Sequence, residues 1–445
     1  MSHFLQDIEF SRRTLLRSAA VAAAAAGGVP GRPTARDAAV AGTENVRVST
    51  DGYSLHAEPS IAANPLDPRN LLASSMVGTG DPQFIATYAS FDGGASWRNN
   101  GALPLPAGTV SADDTTAAFT SDGAGFVAAM ATSGLSRDDR GVYVWRTDDG
   151  GRSFAAPRAA MSGQFADHPW LAADRSRQRA PHCGNLYAVW VADDHAALGF
   201  TRSTDGGTSF EAPRTIQGAT QDVSTPMVAA GSDGVVAAIY EGPMDLTVQP
   251  DLAYTVEVVC STDAGTTFGP PATLGREAAE IALPGGVQPN SGPSIAIAPH
   301  SNAIYAAITT HQPGAARSEI AVAASFDAGA TWTASAPISP GGDVVYFQPQ
   351  LAVDEAGNIA LTAFALAAGR MDVVLFTSRP GRPRFGPPRT VTSTPFAPAL
   401  GASGGKHGAW WIGDYQGLVV THGRVHPFWN DTRTGRLELF TATLR

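Results

Sequence analysis

From about residue 44 onward, short apolar runs are separated by turns rich in Gly, Pro and Asp. Six of these runs open on a similar dipeptide: Glu58-Pro59-Ser-Ile-Ala62, Asp114-Thr115-Thr-Ala-Ala118, His168-Pro169-Trp-Leu-Ala172, Thr225-Pro226-Met-Val-Ala229, Gly292-Pro293-Ser-Ile-Ala296 and Gln348-Pro349-Gln-Leu-Ala352. A seventh candidate is Asp414-Tyr415-Gln-Gly-Leu418. Each is followed by a second run, such as Leu186-Tyr-Ala-Val-Trp190, Ala303-Ile-Tyr-Ala-Ala307 or Val425-His-Pro-Phe-Trp429, and then by a third. Short apolar runs bounded by turn residues predict strands. The chain therefore predicts seven units of three strands, A, B and C.

The third strand of a unit leads into one eight-residue sentence. It reads Ser90-Phe-Asp-Gly-Gly-Ala-Ser-Trp97, Thr147-Asp-Asp-Gly-Gly-Arg-Ser-Phe154, Ser203-Thr-Asp-Gly-Gly-Thr-Ser-Phe210, Ser261-Thr-Asp-Ala-Gly-Thr-Thr-Phe268 and Ser325-Phe-Asp-Ala-Gly-Ala-Thr-Trp332, at intervals of 56 to 64 residues. A worn sixth copy spans Ser378 to Phe385, with Pro380 in the Asp slot and Arg382 in the Gly slot. The Asp side chain can accept from the N–H groups of its own turn, Gly supplies a positive φ, and the closing aromatic can anchor the hairpin. Such a period marks a repeat whose units bury their faces only against one another. Seven A–B–C units have only six octet slots, and the last ends at Leu437-Glu-Leu-Phe-Thr-Ala-Thr-Leu444 without a fourth strand. Alternating Val46-Arg-Val-Ser-Thr50 is expected to supply it, which removes an exposed sheet edge. The predicted fold is all-β, a β-propeller of seven blades (six being the alternative), closed by an N-terminal strand.

These octets resemble the Asp boxes of the sialidase-type, or BNR-repeat, β-propellers, and the resemblance covers nearly all the chain after about residue 44. It implies one propeller domain over 42–445, with Asp92, Asp149, Asp205, Asp263 and Asp327 structural and away from the active face. It also implies an activity on carbohydrate, as an exo-sialidase-like glycoside hydrolase; the alternative is a non-catalytic propeller that binds a glycan or a protein. Sialidases of that family have six blades, so seven is a departure. Their site combines an arginine triad, an acidic proton donor and a tyrosine nucleophile with its activating Glu. The Arg-Ile-Pro motif that carries the first arginine is absent, so no residue is carried over from it.

Composition narrows the partners. With 48 Gly, 32 Pro and 16% charged residues, the chain is turn-rich. A formal charge of −10 argues against nucleic acid. Lys406 is the only lysine, which leaves lysine chemistry almost no candidate. Ser11-Arg12-Arg13-Thr14-Leu15-Leu16-Arg17 matches a twin-arginine signal, and the Ala-rich run from Ser18 to Gly28 is too short to cross a bilayer. Ala39-Val40-Ala41 is a plausible cleavage site, so 1–41 is read as an export signal and the mature protein as periplasmic or extracellular, without a transmembrane segment and monomeric. Cys183 and Cys260 are compatible with one disulfide or with two buried thiols.

Candidate chemistry follows from blade geometry. The A–B and C–D turns share one face; the D–A and B–C connections share the other, where a ligand meets the channel mouth. Pre-A carboxylates recur in blades 1, 2, 3 and 7, and glycoside hydrolysis needs a pair. Asp167, Asp414 and Tyr415 are the expected catalytic residues, with Glu58, Asp114 and His168 in contact with substrate. Arg317, Arg370 and Arg433 fall in comparable B–C segments of blades 5, 6 and 7, where three guanidinia would suit a carboxylated sugar. Glu241 is among the further B–C candidates. No His spacing supports a metal site, and no cofactor is expected; Ca²⁺ among rim carboxylates is conceivable but nothing in the pattern supports it.

Overall fold

The computed structural model describes residues 44–134, 139–176, 180–216, 222–245, 253–278, 287–288, 291–311, 318–334, 336–340, 342–398 and 410–445. The expected export signal and Arg317 lie outside these residues. The described elements are strands, and among the described residues no helix is long and apolar enough to cross a membrane.

Seven four-stranded antiparallel sheets follow one another as the blades of a propeller. Blade 1 is β2 (Leu55–Asn64), β3 (Asp67–Gly78), β4 (Phe84–Ser90) and β5 (Arg98–Ala102), and the next five blades repeat that order. Blade 7 is β28 (Gly417–Thr421), β29 (Arg424–Asp431) and β30 (Glu438–Thr441), and its outer strand is β1 (Val46–Arg47). Val46 pairs with Thr441 and Arg47 with Phe440, as the terminal alternation predicts. The seam continues beyond this ladder: Val48 N–H donates to Leu439 C=O, and Arg47 reaches Glu438 at 2.7 Å.

Burial explains why the strands read as they do. The B strand of blade 3, β11 (Leu186–Ala192), is buried along its whole length, because blades cover both of its faces. The outer strand of the same blade, β13 (Arg214–Thr215), is exposed and two residues long. Innermost strands carry small hydroxyl residues for a specific reason. Their free edge has unpaired N–H groups, and the preceding blade satisfies them: Ala117 N–H donates to Ser60 Oγ, Leu171 N–H to Thr116 Oγ1 and Leu351 N–H to Ser294 Oγ, at 2.9–3.0 Å.

The octets form the C–D turns and clasp each blade to the one before it. In the first, Ser90 Oγ donates to Asp92 Oδ1 and accepts from Gly94 N–H, while Ser96 donates to Asp92 through both N–H and Oγ. The other four repeat this pattern, and the donors hold Asp149 and Asp263 at about 2 although the turn's partial burial works against it. The octet glycine lies against the preceding blade: a Cβ on Gly207 would stand 2.6 Å from Phe126, on Gly265 2.7 Å from Phe200, and on Gly329 2.2 Å from Cys260. In the worn sixth copy, Ser378 Oγ accepts from Arg384 N–H, six residues on instead of four. Cys183 and Cys260 are both free: Cys183 meets Ser121 Oγ at 3.1 Å, whereas Cys260 lies under the blade 5 clasp.

One element has no counterpart in the sequence pattern. Val287–Gln288 (β18) runs parallel to Trp410–Trp411 (β27), so the connections into blades 5 and 7 meet on the channel-mouth face.

Candidate functional site

Five A strands enter the channel mouth through the same irregularity. The register shifts in blades 1, 2, 3, 4 and 6 each contain one residue with a side chain and positive φ: Glu58 (54°), Asp114 (48°), His168 (46°), Thr225 (43°) and Gln348 (50°). Left-handed backbone at such residues costs on the order of 1–3 kcal/mol each and persists only where its surroundings enforce it. Gly292 and Asp414 hold the matching sequence positions in blades 5 and 7, which gives a ring of one residue per blade. A Cβ on Gly292 would fall 2.6 Å from Thr225, so this position is closed to a side chain.

The ring is tight. His168 lies 3.9 Å from Asp114 Oδ1 through Nδ1 and 3.6 Å from Asp414 Oδ2 through Nε2, with the two aspartates 8% exposed. Thr225 Oγ1 donates to Glu241 at 2.9 Å, and Gln348 Nε2 donates to Gly413 C=O at 2.6 Å. The depression among His168, Trp170, Thr225, Gly292, Asp414 and Tyr415 is about 10 Å³, room for one water-sized group. A sugar ring would therefore meet these side chains from above instead of entering the channel.

Electrostatics separate the roles. Burial pushes Glu241 up to about 7, opposed by the Thr225 hydroxyl and His168 and reinforced by Asp414. Burial and the Glu241 charge push Glu277 well above the usual carboxylate range, while Glu277 Oε1 accepts from Thr309 N–H at 2.9 Å. Glu241 was visible in the sequence as a B–C candidate. Glu277 was not, because it sits at the end of an outer strand, β17 (Ala272–Ala278), where no pattern singles it out.

The expected catalytic residues divide. Asp414 is in the ring. Asp167 stands just before it, 3.5 Å from Arg140 Nη1. Tyr415 crosses the channel to blade 2, where its hydroxyl accepts from Thr115 N–H at 2.8 Å and donates to Thr115 C=O at 3.1 Å. Its ring meets Trp170 edge-on at 5.2 Å. Burial, then the Glu58 and Asp114 charges, pushes the phenol well above its usual range. In this arrangement Tyr415 is a crossbeam, and the expected nucleophile role would require breaking both bonds.

The two described arginines of the expected triad are engaged elsewhere. Arg433 binds Asp431 Oδ2 through Nε at 2.8 Å, reaches Asn45 and Ser393, and stacks over Phe440 at 4.6 Å. Arg370 donates to Pro395 C=O, and both guanidinia act on Asp372. Among the described residues no group of three or more His, Cys, Asp or Glu side chains is arranged to hold a metal ion.

No protein-family model matches the sequence, and no curated protein matches it. Solved structures do resemble it. The leech intramolecular trans-sialidase, 12% identical, aligns over 73% of this chain and 67% of its own with a TM-score of 0.51. The GH93 α-L-arabinofuranosidase of Fusarium graminearum, 11% identical, aligns over 91% and 98% with a TM-score of 0.50. At these identities the likeness is one of fold: a seven-bladed β-propeller whose structural neighbours include sialidase-like propellers.

Proposed function

We propose that this propeller is a glycoside hydrolase acting on a carbohydrate at the channel mouth. The observation that carries the reading is the cluster of buried carboxylates at the ring, in which Asp114 and Asp414 flank His168 and the Asp414 charge acts on Glu241. Glycoside hydrolysis needs two carboxyl groups, one to protonate the leaving oxygen and one to act as base or nucleophile, and this cluster holds both. Glu241, whose carboxyl burial raises toward neutrality, is the group suited to protonate a leaving oxygen. Asp414 then serves as the base or nucleophile, with His168 and Asp114 orienting it. That two glycoside-acting enzymes share the fold adds support without assigning a residue.

The substrate class proposed is a neutral glycoside. Arg140, Arg370 and Arg433 all have protein carboxylates beside them, so a substrate carboxylate would have to displace Asp167, Asp372 or Asp431. The Asp-box reading of the octets, and export through the twin-arginine pattern at Arg12 and Arg13, belong to the same proposal. The test is turnover of chromogenic arabinofuranosides, galactosides and sialosides by the purified protein and by Glu241→Gln. Hydrolysis of a neutral glycoside that the variant loses is the expected result. Turnover of sialosides alone would return the arginines to the site, and saturable glycan binding without any turnover would leave a binding module.

A further inference from the structure

On the face opposite the channel mouth the octet clasp fails at two junctions: blade 7 has no octet, and that of blade 6 is worn. Where Gly151, Gly207, Gly265 and Gly329 close the junctions between blades 1 and 5, the junction of blades 5 and 6 meets Arg382, which cannot make that approach. A cavity of about 270 Å³ is left there, lined by Pro299, His300, Tyr305, Phe326, Glu355 and Pro380. Tyr305 closes part of the gap by donating to Gly381 C=O at 3.0 Å. Phe326 remains 45% exposed.

The repeat itself shows what a phenylalanine at this position can take. Phe326 is the second residue of its octet, and so is Phe91 in blade 1. Phe91 is covered by the guanidinium of Arg152, 3.6 Å from the ring centroid, and Arg152 is the sixth residue of the next octet. The sixth residue of the worn octet is Pro383, so no such cap comes from blade 6. Beside the uncapped ring stands Glu355, 41% exposed, whose Oε1 lies 3.5 Å from Arg175 of blade 3. An aromatic face next to a half-exposed carboxylate, shared here with Arg175, is the environment a guanidinium prefers over an ammonium, since it can stack and bond in one plane.

We propose that this pocket receives an arginine side chain of a protein partner, which completes from outside the cap that Arg152 provides within the ring. The probe is Nα-acetyl-L-arginine amide, read by saturation-transfer NMR on the full chain. We expect it to bind, with Nα-acetyl-L-lysine amide about tenfold weaker, as the loss of planar stacking and of the second hydrogen bond implies. Phe326→Ala and Glu355→Gln should each weaken binding. Pro383→Arg, which restores the internal cap, should abolish it while leaving the fold and any glycoside turnover unchanged. Equal binding of the lysine amide, or binding that survives Pro383→Arg, overturns the proposal. So does saturation of methyl glycosides in place of the arginine amide, which would make the pocket a sugar subsite. These outcomes are independent of whether the channel mouth hydrolyses anything.

Discussion

At the scale of the residue, the ring is where local preference and final conformation disagree. Glu58, Asp114, His168, Thr225 and Gln348 hold left-handed backbone that glycine would accept more cheaply, and their side chains converge as a result. The sequence located this ring because the run after it recurs, but it could not rank its members. Ranking depends on burial and on cross-channel contacts, which is why Tyr415 reads as a nucleophile in the sequence and as a crossbeam in the structure. We expect Tyr415→Phe to cost about 1–3 kcal/mol, the penalty for leaving buried Thr115 backbone groups without a partner, with turnover retained. Lost turnover in a folded variant would restore the nucleophile role. Glu241→Gln should lower turnover by about 100- to 10,000-fold, the usual worth of general acid catalysis. The same variant has a signature in stability. Glu241 ionises at about 7 in the fold against 4.5 ordinarily, so the folded state binds more protons in that window. Its contribution is complete below 4.5 and is lost as pH rises through 7. The wild type should therefore lose stability across that window, and Glu241→Gln should lose less; denaturant titrations at pH 5 and pH 8 measure the difference.

The octet is the element that the sequence displays most openly, since each of its residues has a local task that recurs in the same order. Its second task is invisible locally. The glycine must be bare because the preceding blade occupies the space a side chain would take, as Phe126 does at Gly207. Two substitutions in one octet separate these tasks. Asp205→Ala removes the acceptor for Ser203 and Ser209 in a solvated turn, and should cost about 1 kcal/mol, an ordinary hydrogen-bond contribution. Gly207→Ala sets a methyl 2.6 Å from Phe126 at a φ of 78°. It should cost more, about 2–4 kcal/mol, from overpacking together with backbone strain. Thermal unfolding ranks the two. Neither should alter affinity at the channel mouth, and a loss of turnover at full stability in Asp205→Ala would mean that the active face has been misassigned. The parallel pair of β18 and β27 had no such legibility: two-residue strands that meet across two long connections carry no period.

For the whole molecule, the decisive feature is that closure depends on a strand from the far end of the sequence. Blade 7 has no C–D octet, because its outer strand is β1 and the chain must return almost its full length to provide it. The count of seven units against six octet slots made that deficit readable, and the alternation at Val46 supplied the candidate. Beyond Val48 the seam rests on side chains that no periodicity shows. Ser49 Oγ binds Glu438 and accepts from Leu439 N–H, Asn45 Nδ2 donates to Val391 C=O in blade 6, and Arg433 bonds to Asn45 Oδ1. Deleting residues 44–50 would strip β30 of its partner and leave Glu438, 2% exposed, without the Arg47 guanidinium. A buried carboxylate that loses its partner costs about 3–5 kcal/mol, in addition to the exposed sheet edge. Because each blade is held only by its neighbours, opening one junction of a ring removes the constraint on every other. We therefore expect the deletion to lower the midpoint of the whole cooperative transition and to expose blades 6 and 1 together in hydrogen exchange. If exchange rises in blade 7 alone while the main transition stays in place, the seam is a frayed end and not the closure of the ring.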